Sequence, residues 1–155
     1  MPIRRLLYTS TSCLEPTELT IEEQVEAIAR KAALRNEETG VTGVLVFVED
    51  QFIQILEGES DAVEDAFERI CCDFQHTNVK LIDLIAVKER LFGAWNMASL
   101  AQGEDPGSTL DDELRNVRYL MGVNARVAVE KLHECLLGRA DPPFSPSDCT
   151  PRAAG

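Results

Sequence analysis

The sequence is poor in positive charge and in histidine. Its 155 residues contain 15 Lys and Arg against 27 Asp and Glu, which gives a formal net charge of −12. A duplex-binding surface needs a basic footprint, and anionic membranes attract basic segments, so we expect neither a nucleic-acid partner nor a membrane partner. The chain has two His, and its five Cys form no CxxC pair. We therefore expect no metal site, and we expect reduced thiols in a cytoplasmic protein.

Long apolar runs are also missing. No stretch reaches membrane-spanning length, and the first residues lack the cationic and apolar regions of a signal peptide. The chain does contain 45% hydrophobic residues, which is enough for the core of one domain with a possible appendage.

Hydrophobic patterning in the first hundred residues predicts an α+β fold. Thr20 followed by Glu23 is a capping box, which predicts the start of the first helix. The order of the predicted elements is β-α-β-β-α-β with a short extra strand, which is the ferredoxin-like arrangement with two helices on one face of the sheet. The predicted strands are 3–10, 41–50, 51–58, 79–90 and 95–101, and the predicted helices are 20–36 and 61–73.

The last third of the chain has a different organisation. We predict a domain over 1–101, a linker at 102–107, two amphipathic helices within 108–140 and a Pro- and Ser-rich flexible tail at 141–155. Because two short amphipathic helices cannot bury their apolar stripes alone, we expect them to cap the open face of the sheet.

One predicted strand, FIQILEG at 52–58, contains a glutamine among apolar residues. If both faces of the sheet are covered, burial of the Gln54 amide costs a few kcal/mol unless another group satisfies it. Tyr8 in the first strand is inward-facing by alternation, and it can donate to the glutamine oxygen if the two strands are neighbours. The amide nitrogen then remains available to a flat heterocycle with an acceptor edge.

Five short motifs in the first hundred residues resemble those of the BLUF family of flavin-binding blue-light sensors. Each motif alone is weak, but together they occur in the family's order and at sensible spacing. They are RLLYTS with Tyr8, RNEETGVTG with Asn36, FIQILEG with Gln54, ICCDFQHTNV with Asp73 and His76, and RLFGAWNM with Arg90, Trp95 and Met97. The resemblance covers residues 3–100, and the helices after 107 resemble the C-terminal cap of short BLUF proteins.

The resemblance implies a photochemical site. Tyr8 would give an electron to the light-excited flavin, and a proton would move through Gln54, whose amide would end rotated or tautomerised. The other implied cofactor-binding residues are Asn36, Arg35, Asp73 and His76. Trp95 and Met97 would carry the signal from the last strand to the C-terminal helices.

The implied function is a non-enzymatic blue-light photoreceptor that signals to an unidentified protein partner. FAD is the expected cofactor, with FMN and riboflavin as alternatives, and a homo-oligomer is expected. Two competing functions are a light-independent ferredoxin-like interaction module and a small hydrolase.

For some residues we also weighed ordinary structural roles. Arg69 and Arg90 fit solvated charges, and His133 fits the exposed side of a helix. Trp95, the single tryptophan, fits core packing as well as a place near the flavin ring, where it would compete with Tyr8 as an electron donor.

Overall fold

The computed structural model describes residues 2–73, 76–103 and 109–138, except for the Asp73 side chain. Nine elements follow one another along these residues. They are β1 (Ile3–Ser12), α1 (Ile21–Thr39), β2 (Thr42–Val48), β3 (Gln51–Glu59), α2 (Ser60–Asp73), β4 (His76–Val87), β5 (Ala98–Ala101), α3 (Leu110–Met121) and α4 (Ala125–Leu137).

The strands form one five-stranded sheet in the order β4-β1-β3-β2-β5. β5 runs parallel to β2, and the other neighbouring strands are antiparallel. β1 and β3 are central neighbours, and their register places Tyr8 directly opposite Gln54. The predicted ferredoxin-like fold is therefore confirmed, and the central pairing brings together the two residues that the sequence analysis singled out.

Each face of the sheet is covered by a pair of helices. We call the side under α1 and α2 the helix-pair face; its strand residues include Leu6, Tyr8, Leu45, Phe52 and Leu56. The side under α3 and α4 is the cap face; its strand residues include Leu7, Val44, Val46, Ile53 and Ile55. Because successive strand residues point to opposite faces, the same central strands supply both apolar layers.

Local sequence signals explain two of the element boundaries. The Thr20 side chain accepts from the Glu23 backbone amide while the Glu23 carboxylate accepts from Thr20, which is the predicted capping box. Glu49 and Asp50 join β2 to β3 and both have positive φ, 50° and 62°. Such values suit a two-residue turn whose twist matches that of the strands, even though glycine is absent here.

The fifth strand is shorter than predicted. Its pairing with β2 begins at Ala98 rather than at residue 95. Residues 90–97 form a loop before this strand, and the backbone carbonyl of Asn96 in the loop accepts a hydrogen bond from the Asn36 side chain. Strict strand alternation therefore does not apply to Trp95 and Met97.

The organisation of the last third is described in part. α3 and α4 pack on the cap face as expected. Residues 104–108, which include most of the expected linker, and 139–155, which include the expected tail, lie outside the described residues. Among the described helices, none combines the length and the apolar character that crossing a membrane requires.

Candidate functional site

The centre of the site is a buried hydrogen bond between β1 and β3. The Tyr8 hydroxyl donates to Gln54 Oε1, and both side chains are 0% exposed. The phenol ring of Tyr8 also packs against Phe67 of α2, with 5.3 Å between ring centroids. The partner expected for the glutamine oxygen is therefore present.

The other end of the Gln54 amide faces a weak acceptor. Its Nε2 lies 3.5 Å from the Met97 Sδ, in the loop that precedes β5. A thioether sulfur is a poor acceptor compared with a carbonyl oxygen or a ring nitrogen. The amide nitrogen thus retains the capacity to donate a stronger hydrogen bond to an inserted polar edge.

Asn36 places a second buried amide on the helix-pair face. It lies near the end of α1 and is 3% exposed. Its Nδ2 donates to the backbone carbonyl of Asn96 over 2.8 Å. Asn36 and Gln54 therefore hold adjacent residues of one loop, Asn96 and Met97.

A cavity of about 140 Å³ opens between α1 and α2, and Asn36 is one of the residues that line it. Aliphatic side chains form its walls, and three cationic side chains line it as well. The lining residues are Ile28, Lys31, Ala32, Arg35, Asn36, Ala66, Arg69 and Ile70. This combination suits a flat apolar body with an anionic extension, because the walls match the ring and the cations match the charge. Arg69, which the sequence analysis treated as a solvated charge, is one of these lining residues.

His76 lies beside the tyrosine at the start of β4. Its Nδ1 is 2.7 Å from the Ser10 hydroxyl, and its ring centroid is 6.2 Å from that of Tyr8. Burial lowers the pKa of His76, and a hydrogen bond with the Ile70 backbone acts in the opposite direction. The predicted neighbour Asp73 ends α2, but its side chain lies outside the described residues, so its role stays a prediction.

The environment of Tyr8 keeps its phenol protonated. Burial raises the pKa of the Tyr8 hydroxyl well above its ordinary value, and the nearby Cys71 thiol raises it further. The hydroxyl therefore carries a proton at neutral pH, with Gln54 Oε1 already in place to accept it.

Trp95 lies on the opposite side of the sheet from this site. It packs into the apolar layer of the cap face, whereas Met97 packs into that of the helix-pair face. Its ring is 6.4 Å from that of His133 in α4, and Phe92 is 5.8 Å from the same histidine. His133 is half-buried under these contacts, so its predicted place on the exposed side of the helix is wrong.

A buried carboxylate at the end of β3 was not predicted from the sequence. Glu57 is 0% exposed, and its side chain accepts from Arg5 and from two backbone amides of the 90–97 loop. Arg90, expected in solvent, is half-buried and donates to Thr42 Oγ1 and to the Glu57 carbonyl. The burial of Glu57 could have been predicted from the sequence, because Glu57 continues the alternation of Ile53 and Ile55 and so points to the cap face.

Comparison with known proteins agrees with this geometry. Residues 3–98 match the family described as BLUF, sensors of blue-light using FAD. The chain is 33% identical over 97 residues to the photoactivated adenylate cyclase subunit beta of Euglena gracilis. That match covers 62% of this chain and 11% of the relative, so the chain spans only about a tenth of that protein.

Solved structures show the same fold. The dark-state structure of BlrB, a BLUF protein, aligns with a TM-score of 0.66 and 25% identity, covering 86% of this chain and 93% of that one. A bacterial light-regulated adenylyl cyclase aligns with a TM-score of 0.65 and 26% identity, covering 83% of this chain and 36% of the cyclase.

Proposed function

Because the chain belongs to the BLUF family of flavin-binding blue-light sensors, we propose that Tyr8 and Gln54 are its photochemical pair and that light reverses the Gln54 amide. The observation that carries the proposal is the fully buried hydrogen bond from Tyr8 to Gln54 Oε1. A buried amide with one strong partner and one weak partner is a two-state element that an external event can bias.

The residues fit a bound flavin. The Gln54 Nε2 can donate to an acceptor on the ring, since its partner in the protein is a thioether. Asn36 is one of the residues that line the cavity between α1 and α2, and aliphatic residues of both helices form its walls. Arg35 and His76 complete the described part of the proposed cofactor site.

A bound flavin would supply an excited state, reached by blue light, that can accept an electron. Tyr8 would donate that electron, and the proton on its hydroxyl would move towards Gln54 Oε1, the atom that already accepts its hydrogen bond. Charge and proton would then return to Tyr8 and leave the Gln54 amide rotated or tautomerised. Rotation exchanges the donor and acceptor ends of the side chain, so the hydrogen bonds at both ends change together.

We propose FAD as the flavin in preference to FMN or riboflavin. Lys31, Arg35 and Arg69 line one cavity, and guanidinium and ammonium groups are the usual partners of phosphate oxygens. Chromatography of the chromophore released from purified protein tests this assignment. Bound FAD is the expected result, whereas exclusive recovery of FMN or of riboflavin from cells that contain all three would contradict it.

We propose that the output is non-enzymatic and reaches a separate protein in the cytoplasm through the 90–97 loop and α4. Met97 contacts Gln54, and Trp95 contacts His133 of α4, so the loop touches both the sensor site and the cap. A self-associated form of the chain remains part of this proposal, with the exposed apolar side chains of Val123 and Leu137 as its basis, because the apolar stripes of α3 and α4 are buried against the sheet.

An absorption spectrum before and after blue light tests the photochemical pair. We expect a yellow protein whose flavin bands move to longer wavelength on illumination and return in the dark. Gln54→Leu should keep the flavin and lose the red-shifted state entirely, because leucine has no hydrogen-bonding end to exchange. Gln51→Leu, at the start of the same strand, is the matched control and should behave as the wild type. A full red shift in Gln54→Leu would remove the glutamine from the mechanism.

A further inference from the structure

Glu57 is a fully buried carboxylate on the strand that carries Gln54. It lies on the cap face, opposite in direction to Gln54, and is 0% exposed. Burying an ionised carboxylate costs several kcal/mol unless hydrogen bonds and a counter-charge compensate it. Hydrogen-bond donors and a cationic side chain should therefore lie next to the Glu57 carboxylate.

Three donors surround the Glu57 carboxylate. Arg5 Nε lies 2.8 Å from Oε2, the Leu91 amide 3.0 Å from the same oxygen, and the Phe92 amide 2.7 Å from Oε1. Arg90 adds a hydrogen bond of 3.2 Å to the Glu57 backbone carbonyl. Three consecutive residues of the 90–97 loop are thus tied to one residue of β3.

The far end of the same loop is tied to the photochemical site. The Asn96 carbonyl accepts from Asn36, and the Met97 Sδ accepts from Gln54 Nε2. The loop is therefore held at its start from the cap face and at its end from the helix-pair face. If the Gln54 amide changes orientation and no longer donates to Met97, the end of the loop is released while its start remains bound to Glu57.

Stability alone does not account for this carboxylate. Replacement of a buried ion pair by apolar residues of similar volume is often neutral or stabilising. The loop also has space beside it, because Arg5 and Leu91 border a cavity of about 370 Å³ between β4 and α4. Without Glu57, the start of the loop could shift into that space.

We propose that Glu57 is a positioning residue that fixes the start of the 90–97 loop and thereby favours the return of Gln54 to its dark orientation. The inference rests on the proposed function, since it concerns the lifetime of the rearranged Gln54. Glu57 touches neither Gln54 nor the cofactor cavity, so its effect passes through the loop and Met97.

Glu57→Gln tests the inference with little change in shape. The amide group replaces one acceptor oxygen with a donor, so at least one of the three donors loses its acceptor. We expect the dark spectrum and the size of the red shift to match the wild type. We expect dark recovery to slow by about two- to thirty-fold, the range that corresponds to measured coupling energies of about 0.5–2 kcal/mol. Light-minus-dark amide hydrogen exchange should also rise at residues 91–97.

Two controls separate positioning from general stability. Glu59→Gln removes an exposed carboxylate two residues away and should recover at the wild-type rate. Val117→Ala weakens the cap core outside the Glu57 contacts and should lower the melting temperature without slowing recovery. Recovery of Glu57→Gln within twofold of the wild type, or faster, would overturn the inference, as would an equal slowing in Val117→Ala.

If Glu57→Gln does not fold, the double variant Glu57→Leu with Arg5→Met provides a second test of the carboxylate. It removes both members of the buried ion pair, so neither charge is left unpaired, and the Leu91 and Phe92 amides lose their acceptor. We expect slower recovery by at least about twofold, and an unchanged rate would overturn the inference. Absence of any red-shifted state in the wild type would instead overturn the proposed function, and this inference with it.

Discussion

The helix-pair face and the cap face bury different kinds of polar group on the same two central strands. On the helix-pair face the polar groups of these strands are neutral, and Tyr8 and Gln54 hydrogen-bond to each other. On the cap face the polar group is the charged Glu57, which has three donors around it. A neutral amide with one strong and one weak partner can reverse at low cost, whereas a carboxylate among three donors cannot move without leaving donors unpaired.

This difference assigns separate tasks to the two layers. The helix-pair face provides hydrogen bonds that can be exchanged. The cap face holds the start of the 90–97 loop in a fixed position. An exchange of hydrogen bonds at Gln54 therefore displaces the other end of the loop, because interfaces and packed cores do not deform continuously. Variants on the two faces should therefore fail in different ways.

The largest expected effect is complete loss of the photocycle on the helix-pair face. Tyr8→Phe keeps the ring that packs on Phe67 but removes the electron and proton donor and the hydrogen bond to Gln54. We expect flavin binding with no red-shifted state in a light-minus-dark spectrum. Tyr119→Phe is the matched control, because Tyr119 is the second of two tyrosines and is 68% exposed on α3.

The burial of Tyr8 adds a pH test to the same measurement. Because the pKa of its hydroxyl is raised well above the ordinary value, the phenol stays protonated as the pH rises past that value. The wild-type red shift should therefore be independent of pH up to about 10, the ordinary pKa of tyrosine. A loss of the red shift at mildly alkaline pH, in protein that still binds flavin, would contradict the buried geometry.

Variants in the core of the cap face should lose stability but keep their photochemistry. Leu114 of α3 is fully buried in the cap face, and Leu114→Ala should lower the free energy of unfolding by about 2–5 kcal/mol. The flavin spectrum and the size of the red shift should stay unchanged in the folded protein. Leu34→Ala, at a 65% exposed position of α1, is the control and should cost about 0.5 kcal/mol or less. Urea unfolding followed by circular dichroism measures both, and an altered spectrum in Leu114→Ala would weaken the division between the faces.

The regular elements could be predicted from the sequence because their patterns are long and agree with one another. Alternation placed Tyr8 and Gln54 on one face, and the observed register sets them opposite each other. The capping box gave the start of α1, which begins at Ile21. Several independent signals supported each of these elements, so local preference and tertiary packing did not conflict.

The 90–97 loop could not be predicted because it has neither a helical nor a strand period. Extending the fifth strand back to residue 95 would place Trp95 on the same face as Met97, since alternate strand residues share a face. In the structure the loop is held by contacts distant in sequence, from Asn36 and Glu57, and these turn Trp95 to the cap face. His133 was assigned to the surface for a related reason, since its partners Phe92 and Trp95 belong to this loop.

Replacement of Trp95 on the cap face should have the mildest consequence of these changes. Its indole N–H is buried and has no hydrogen-bond partner among the described residues. Within the described part of the chain an oxidised indole has no acceptor for its proton, so Trp95 should not replace Tyr8 as the productive donor. Trp95→Phe should leave the red shift unchanged. It should change the free energy of unfolding by no more than about 1 kcal/mol, because the lost ring area is offset by removal of an unsatisfied donor.

Met97→Leu is the matching change on the helix-pair face. It removes the sulfur that accepts from Gln54 Nε2, so it should shift the dark spectrum or alter recovery where Trp95→Phe does not. Trp95 and Met97 are separated by one residue, yet only the second faces the exchanging amide. If Trp95→Phe changed the photochemistry as strongly as Met97→Leu, sequence proximity to the site rather than the face of the sheet would determine which residues take part.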